Sequence, residues 1–276
     1  MSHPLNKYIV QMGWGGFGDR TQALCYCMTL AKTRNRALVV NWEDVQFSQS
    51  FHDFFHIIDL PYAYTVPDAP TYPRIFRHLR NQGGDWWIYE LKDYRIDTAN
   101  EQVIVHSGRG FRSYNWKTLI THLRFTPQTA KEVLDILTKT ENLLGDLPLV
   151  HLRGTDRAWK AEDVHALAEN NGIAGILSDD KRAVDAYMSV HPQSVVINTG
   201  RDDGKPLHKT DPSRDRNIKM LADFCLLSKH GTDALNKESL FWRAAKKLGT
   251  SVDKWFIPAG KLEKWEDICF RSKYAT

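Results

Sequence analysis

The sequence lacks several features that would narrow its class at once. It holds four cysteines in 276 residues, Cys25, Cys27, Cys225 and Cys269. Cys25 and Cys27 stand closer together than a zinc knuckle spaces its ligands, and no His-x-x-x-His pair accompanies them. A zinc module is therefore excluded, and buried thiols in a reducing compartment are expected. No apolar run approaches the roughly 20 residues of a membrane span. The opening MSHPLNK shows neither the basic nor the apolar region of a secretory signal. A cytoplasmic protein without a membrane span is the expectation. Neither sign of charge dominates: Lys and Arg number 37 against 33 Asp and Glu. The small excess is spread over both halves, so a nucleic-acid partner is not favoured. Internal repeats and low-complexity tracts are absent.

What is present is a globular composition, 42 % hydrophobic and 25 % charged, in a chain long enough for one large domain or two small ones. Either bury enough apolar surface to fold without disulfide or metal. Nine Trp, ten Tyr and twelve Phe are a heavy aromatic load, suited to core packing or to flat ligand contacts. Residues 7–12 (KYIVQM) read as a strand, residues 20–33 carry a helical period, and residues 37–41 (ALVVN) read as a buried strand. This is a βαβ opening with parallel strands. Residues 47–97, with four prolines and many aromatics, read as short helices and loops. A strand at 102–106 and a helix at 127–140 follow. Beyond about residue 147 the alternation restarts, with strands at 149–153, 175–178 and 194–198. Helices are expected at 161–171, 180–189, 217–228 and 239–248. The pattern predicts an α/β fold of two Rossmann-like domains, 1–147 and 148–276, facing each other across a cleft.

Four segments carry the chemistry. Gly13-Trp14-Gly15-Gly16-Phe17-Gly18 satisfies G-x-G-x-x-G between a strand and a helix, with Glu43 and Asp44 beyond the second strand. That is a dinucleotide fingerprint, but Trp14 and Phe17 make it bulky and Asp19-Arg20 place charges at the helix start. A structural turn or a different ligand loop fits as well. His151-Leu152-Arg153-Gly154-Thr155-Asp156-Arg157 lies at the C-terminal end of a strand, the edge where open α/β sheets bind ligands. Arginine suits a diphosphate because its planar fork donates two N–H groups at once. A surface loop of paired charges is the competing reading. Asp179 and Asp180 close the next strand and suit either a base or ribose, or a helix cap. Ser239 opens a helix whose free N–H groups form a phosphate seat, unless it serves only as a cap.

In this order the motifs G-G-F-G-D-R, H-L-R-G-T-D-R, S-D-D and E-S-L-F-W-R-A-A-K-K-L-G resemble the fucosyltransferase superfamily. That group includes α1,6-fucosyltransferases, nodulation fucosyltransferases and protein O-fucosyltransferases. Its patterns are G-x-G-N-[RQ], H-x-R-x-x-D, [TS]-D-[DS] and S-S-F. The resemblance spans most of the chain, although residues 45–103 carry none of its motifs. Asp19 stands in place of Asn, Gly154 in place of a common second Arg, and Glu238 in place of the first Ser.

The resemblance implies a GT-B fold and a glycosyltransferase, with fucose from GDP-fucose as the expected sugar and no metal or other cofactor. The acceptor would be a glycan, a peptide or another hydroxyl-bearing molecule. On that pattern Arg153 assists departure of the diphosphate. His151, Thr155, Asp179, Asp180, Ser239 and Phe241 bind the donor nucleotide. Gly15, Gly16, Phe17, Gly18, Asp19 and Arg20 line the cleft from the N-terminal domain. Asp156 is the first candidate for the base, ahead of Glu162 and Asp163. Trp14, Trp86, Trp87 and Trp116 are candidates for stacking on a sugar, and Arg109, Arg112 and Tyr114 for the acceptor side. Two alternatives stay open: a sugar-nucleotide or glycan binding module without catalysis, and an NAD(P)- or FAD-dependent oxidoreductase using the glycine loop.

Overall fold

The structure, a computed structural model, describes residues 8–12, 15–42, 49–60, 62–63, 103–106, 116–154, 158–197 and 213–258. The chain divides into two compact units, one of residues 1–44, 50–126 and 254–276, the other of residues 45–49 and 127–253.

The first unit opens with β1 (Tyr8–Met12), α1 (Phe17–Thr33) and β2 (Ala37–Asn41). It continues with a 3-10 turn at Phe51–Asp53, β3 (Phe55–Ile57), β4 (Tyr62–Ala63) and β5 (Val103–His106). Then come α2 (Trp116–His122) and β6 (Leu123–Phe125). A parallel sheet runs in the order β4-β2-β1-β5, and β3 pairs with β6 in an antiparallel ribbon. Helix α1 is buried along most of its length, which explains why its sequence shows no clean polar face.

Among the described residues, this unit's core holds a cluster of aromatic rings. Phe55 stacks on Phe51 and Phe125, with ring centroids 5.2 Å apart in both cases. Trp42 meets Phe51 edge-on at 5.0 Å, and Trp255 meets Phe55 at 5.8 Å and Phe125 at 5.6 Å. The Trp42 indole N–H donates to Gln11 Oε1 at 2.6 Å. Its polar handle is thereby satisfied inside an apolar cluster.

The second unit contains α3 (Pro127–Leu144), β7 (Leu149–Leu152), α4 (Ala161–Asn171), β8 (Gly175–Ser178), α5 (Lys181–Val190) and β9 (Val195–Val196). After these come α6 (Arg214–His230), β10 (Gly231–Ala234), α7 (Leu240–Leu248) and a 3-10 segment at Gly249–Phe256, whose last three residues belong to the first unit. The second unit's sheet is parallel throughout, in the order β10-β7-β8-β9. All four residues of β7 are buried, as expected for a parallel strand covered on both faces. Val150 and Leu152 pack with Ile176 against Val164, Leu167, Ala183 and Tyr187.

The division between units falls before α3, whereas the restart of alternation placed it after residue 147. Helix α3 belongs with the second unit because it is tied to α6. Arg214 bonds Glu132 at 2.8 Å and Thr129 Oγ1 at 3.3 Å, and Lys229 bonds Glu141 at 2.7 Å. The chain also returns to the first unit at residue 254, placing Trp255 in the aromatic core. Among the described residues no helix is long and apolar enough to cross a membrane.

Candidate functional site

Strands β7, β8 and β10 end together, and the residues just past them meet. The backbone N–H of Gly154 donates to Asp179 Oδ1 at 2.9 Å. Asn236 Nδ2 donates to the Arg153 carbonyl at 2.5 Å, and Leu235 N–H to the His151 carbonyl at 3.0 Å. His151, Arg153, Asp179 and the loop after β10 therefore form one constellation at the C-terminal edge of the sheet, where parallel sheets bind ligands.

His151 is 6 % exposed. Its ring lies nearly parallel to Trp242 of α7 at 6.3 Å and tilted against Phe241 at 6.0 Å, so β7 faces the first turn of that helix. Burial is the largest influence on the imidazole and brings its pKa down to about 4; the Asp179 charge works against it and the Arg153 charge adds to it. The ring is therefore neutral at neutral pH. Its Nδ1 is buried without a hydrogen-bond partner among the described residues.

Ser239, 2 % exposed, precedes α7 in the N-cap position, yet its hydroxyl caps nothing. Its Oγ is likewise buried without a hydrogen-bond partner among the described residues. The first turn of α7 contains no acidic residue. Glu238 is turned to solvent, with 88 % of its side chain exposed and Arg243 Nη1 at 3.6 Å. The carboxylate that stands where the family has its first Ser thus lies out in water.

The two carboxylates after β8 are used differently. Asp180 is buried and caps α5: it accepts the Arg182 N–H at 3.0 Å, Arg182 Nη2 at 2.8 Å and Trp159 Nε1 at 3.1 Å. Burial raises its pKa, but these hydrogen bonds and the Arg182 charge outweigh burial and hold it below the usual carboxylate range. Asp179, by contrast, turns back toward the Arg153–Gly154 peptide. Gly154 is required at its place. A Cβ there would come within 2.7 Å of both Asp180 Oδ2 and Trp159 Nε1, closer than real contacts allow.

Comparison with solved structures supplies the frame for this geometry. The NodZ α-1,6-fucosyltransferase soaked with GDP-fucose matches with a TM-score of 0.61 and 16 % identity, over 87 % of this chain and 91 % of that one. Fucosyltransferase NodZ from Bradyrhizobium matches at 0.59 and 15 % over the same shares. A mutant of Arabidopsis thaliana FUT1 in complex with GDP matches at 0.54 and 14 %, over 88 % of this chain and 68 % of that one. The fold is GT-B and fucosyltransferase-like. No family model matches the chain, and no curated protein sequence matches it.

The GT-B glycine loop belongs to the first unit and is built inward. Gly15 has φ +73°, and a Cβ on it would lie 2.9 Å from the Asp19 carboxyl carbon. Only glycine takes this turn without strain. Gly16 is the N-cap of α1 and Gly18 is buried. Phe17, 3 % exposed, meets Trp42 at 6.0 Å and Phe55 at 6.3 Å as part of the aromatic core. Arg20 is fully buried; its Nε donates to the Gly15 carbonyl at 3.0 Å and Nη1 to the Trp42 carbonyl at 2.9 Å. Asp19 places a carboxylate in the first turn of α1, the position where a dinucleotide pyrophosphate needs positive potential.

Asp156 and Thr155 lie outside the described residues, as do Trp14, Glu43, Asp44, Trp86, Trp87, Arg109, Arg112, Tyr114 and Cys269. Glu162 and Asp163 are exposed at the start of α4, and Asp163 accepts the Lys160 N–H at 3.2 Å. Trp116 is half-buried in α2. Cys25, Cys27 and Cys225 are buried free thiols; burial pushes Cys25 up to about 12 and raises the other two well above their usual value. They are not nucleophiles at neutral pH. Among the described residues, no group of three or more His, Cys, Asp or Glu gathers that could hold a metal. Sequence reasoning missed Asn236 and Trp159, which fasten the site loop from either side. Neither belongs to a recognisable motif.

Proposed function

We propose that this chain is a glycosyltransferase that takes its sugar from a nucleotide diphosphate, with GDP-fucose as the donor and a hydroxyl as the acceptor. The second unit binds the donor and the first serves the acceptor side. The observation that carries the reading is the meeting of His151, Arg153 and Asp179 at the C-terminal ends of β7 and β8, in a fold shared with proteins crystallised with GDP and GDP-fucose.

Transfer breaks the bond between the sugar's anomeric carbon and the β-phosphate oxygen, and forms a bond from that carbon to the acceptor oxygen. The acceptor's proton passes to a carboxylate, for which Asp156 is assigned. The leaving diphosphate gathers negative charge. Arg153 and the free N–H groups opening α7, with the Ser239 hydroxyl, neutralise it without a metal. Neutral His151 and the carboxylate of Asp179 hydrogen-bond the base or ribose, and Phe241 closes the pocket beside them. Asp180 holds α5 in place.

A thermal-shift panel of GDP, GDP-fucose, UDP, NAD(P) and FAD tests this reading. At a hundred times Kd, a ligand adds about 2.7 kcal/mol of stability, worth roughly 5–11 °C in Tm at about 2–4 °C per kcal/mol. GDP and GDP-fucose are expected to give that shift. A response to NAD(P) or FAD alone would replace the reading with an oxidoreductase. GDP binding without release of GDP from any donor would leave a binding module.

A further inference from the structure

In a regular parallel ladder, a residue facing its neighbour accepts with its C=O and receives the next N–H through the same partner residue. Beyond β7 this pattern continues, but side chains replace the backbone. On the β8 edge, Asp179 N–H donates to the Leu152 carbonyl at 3.4 Å. The next rung would carry the Gly154 N–H to the main-chain carbonyl of Asp179. It goes instead to that residue's side-chain oxygen, Oδ1, at 2.9 Å. On the β10 edge, Leu235 N–H donates to the His151 carbonyl at 3.0 Å. Two rungs further on, a regular ladder would bring the main-chain N–H of Lys237 to the Arg153 carbonyl. The side-chain amide of Asn236 delivers the donor in its place, at 2.5 Å.

These two substitutions act on one and the same peptide group. Its C=O belongs to Arg153 and its N–H to Gly154, and the group is planar. It is gripped at both ends by side chains from different strand ends. A third wall closes on it from Asp180 and Trp159, which leave no room for a Cβ at Gly154. A plane fixed in this way sets the Cα–Cβ direction of Arg153, two residues after His151 and on the same side of the strand. An arginine side chain rotates about several bonds. Fixing its root reduces the ordering entropy of presenting its guanidinium to an anion.

We infer that Asp179 and Asn236 are positioning residues that clamp the Arg153–Gly154 peptide and thereby aim Arg153 at the donor diphosphate. The inference rests on the donor reading above and assigns Asn236 a part in it without contact to the donor.

A double-mutant cycle on GDP affinity, measured by titration calorimetry, tests the clamp. Asn236→Ala is expected to weaken GDP binding about three- to tenfold, the worth of one hydrogen bond. In the Arg153→Ala background the same change is expected to alter affinity less than about twofold, because its effect passes through Arg153. Asn236→Asp keeps the side-chain volume but points an acceptor at the Arg153 carbonyl, and is expected to repeat the loss. Melting curves of each variant verify folding. Undiminished GDP affinity in Asn236→Ala and Asn236→Asp, or losses that multiply fully in the double variant, overturns the clamp. A wild-type chain that binds no GDP overturns the donor reading itself.

Discussion

Replacing Arg153 with alanine is expected to lower the rate of sugar transfer by about 10²–10³, the usual loss when one preorganised donor to a developing anion is removed. The donor bond breaks as charge moves onto the β-phosphate oxygen, so an interaction with that charge strengthens toward the transition state. The loss should therefore fall on kcat as well as on KM. Arg153 is half-buried at the end of β7, and the clamp on its peptide uses backbone atoms that alanine retains. Melting temperature should accordingly change little. Arg153→Lys keeps the charge but loses the planar fork, and is expected to fall between wild type and alanine. Steady-state kinetics with GDP release as the readout distinguish these outcomes. Unchanged turnover in Arg153→Ala removes Arg153 from the mechanism.

Acid is expected to destabilise the protein through His151. In the unfolded chain its imidazole takes up a proton near the ordinary value of 6.5, whereas in the folded protein burial holds it down to about 4. Between those values the unfolded state binds more protons, so stability rises with pH. The stabilisation is fully present above about pH 6.5 and is lost as pH falls toward 4. Its size is up to roughly 3 kcal/mol, the free-energy equivalent of the shift. His56 and His122 are also lowered, chiefly by burial, and contribute in the same direction. Comparison with His151→Gln isolates the single group. Urea unfolding at pH 7.5 and pH 4.5 should show a smaller fall in stability for the variant than for wild type. Equal falls would mean that His151 titrates normally in the folded protein.

Local pattern made much of the fold legible. Residues 37–41, 161–171 and 175–178 form the elements that their apolar spacing predicted. The glycine turn opened a helix as expected, and Asp180 took the capping option that its sequence context left open. Other features depended on distant residues. Strand β10 reads Gly-Thr-Asp-Ala, a polar edge strand without an apolar run, so it was not recognised. Its absence concealed Asn236, whose importance comes from standing one residue past the end of a ladder. Helix α3 groups with the second compact unit, where partners about 80 residues on in α6 bond it, a link that local pattern does not carry. Among the described residues, aromatics 17, 42, 51, 55, 125 and 255 gather in one core cluster, a grouping only folding brings together.

The second and third motifs were legible as a place: His151, Arg153 and Asp179 come together at strand ends, while Asp180 turned out to be a helix cap. The glycine loop was the more misleading feature. Its G-x-G-x-x-G spacing suggests a dinucleotide, yet Phe17 serves the core, Arg20 ties the turn to the end of β2, and Asp19 places negative charge in the first turn. Ser239 is informative in the opposite sense. A serine at a helix start ordinarily caps the helix, and here its buried hydroxyl does not.

The most direct measurement is amide hydrogen exchange of the full chain with and without saturating GDP. The account predicts slowed exchange in peptides covering residues 149–154, 176–180 and 236–242, the three segments that meet at the sheet edge, with residues 15–20 unchanged. Protection confined to residues 15–20, or no change in the three segments at saturating GDP, would contradict it.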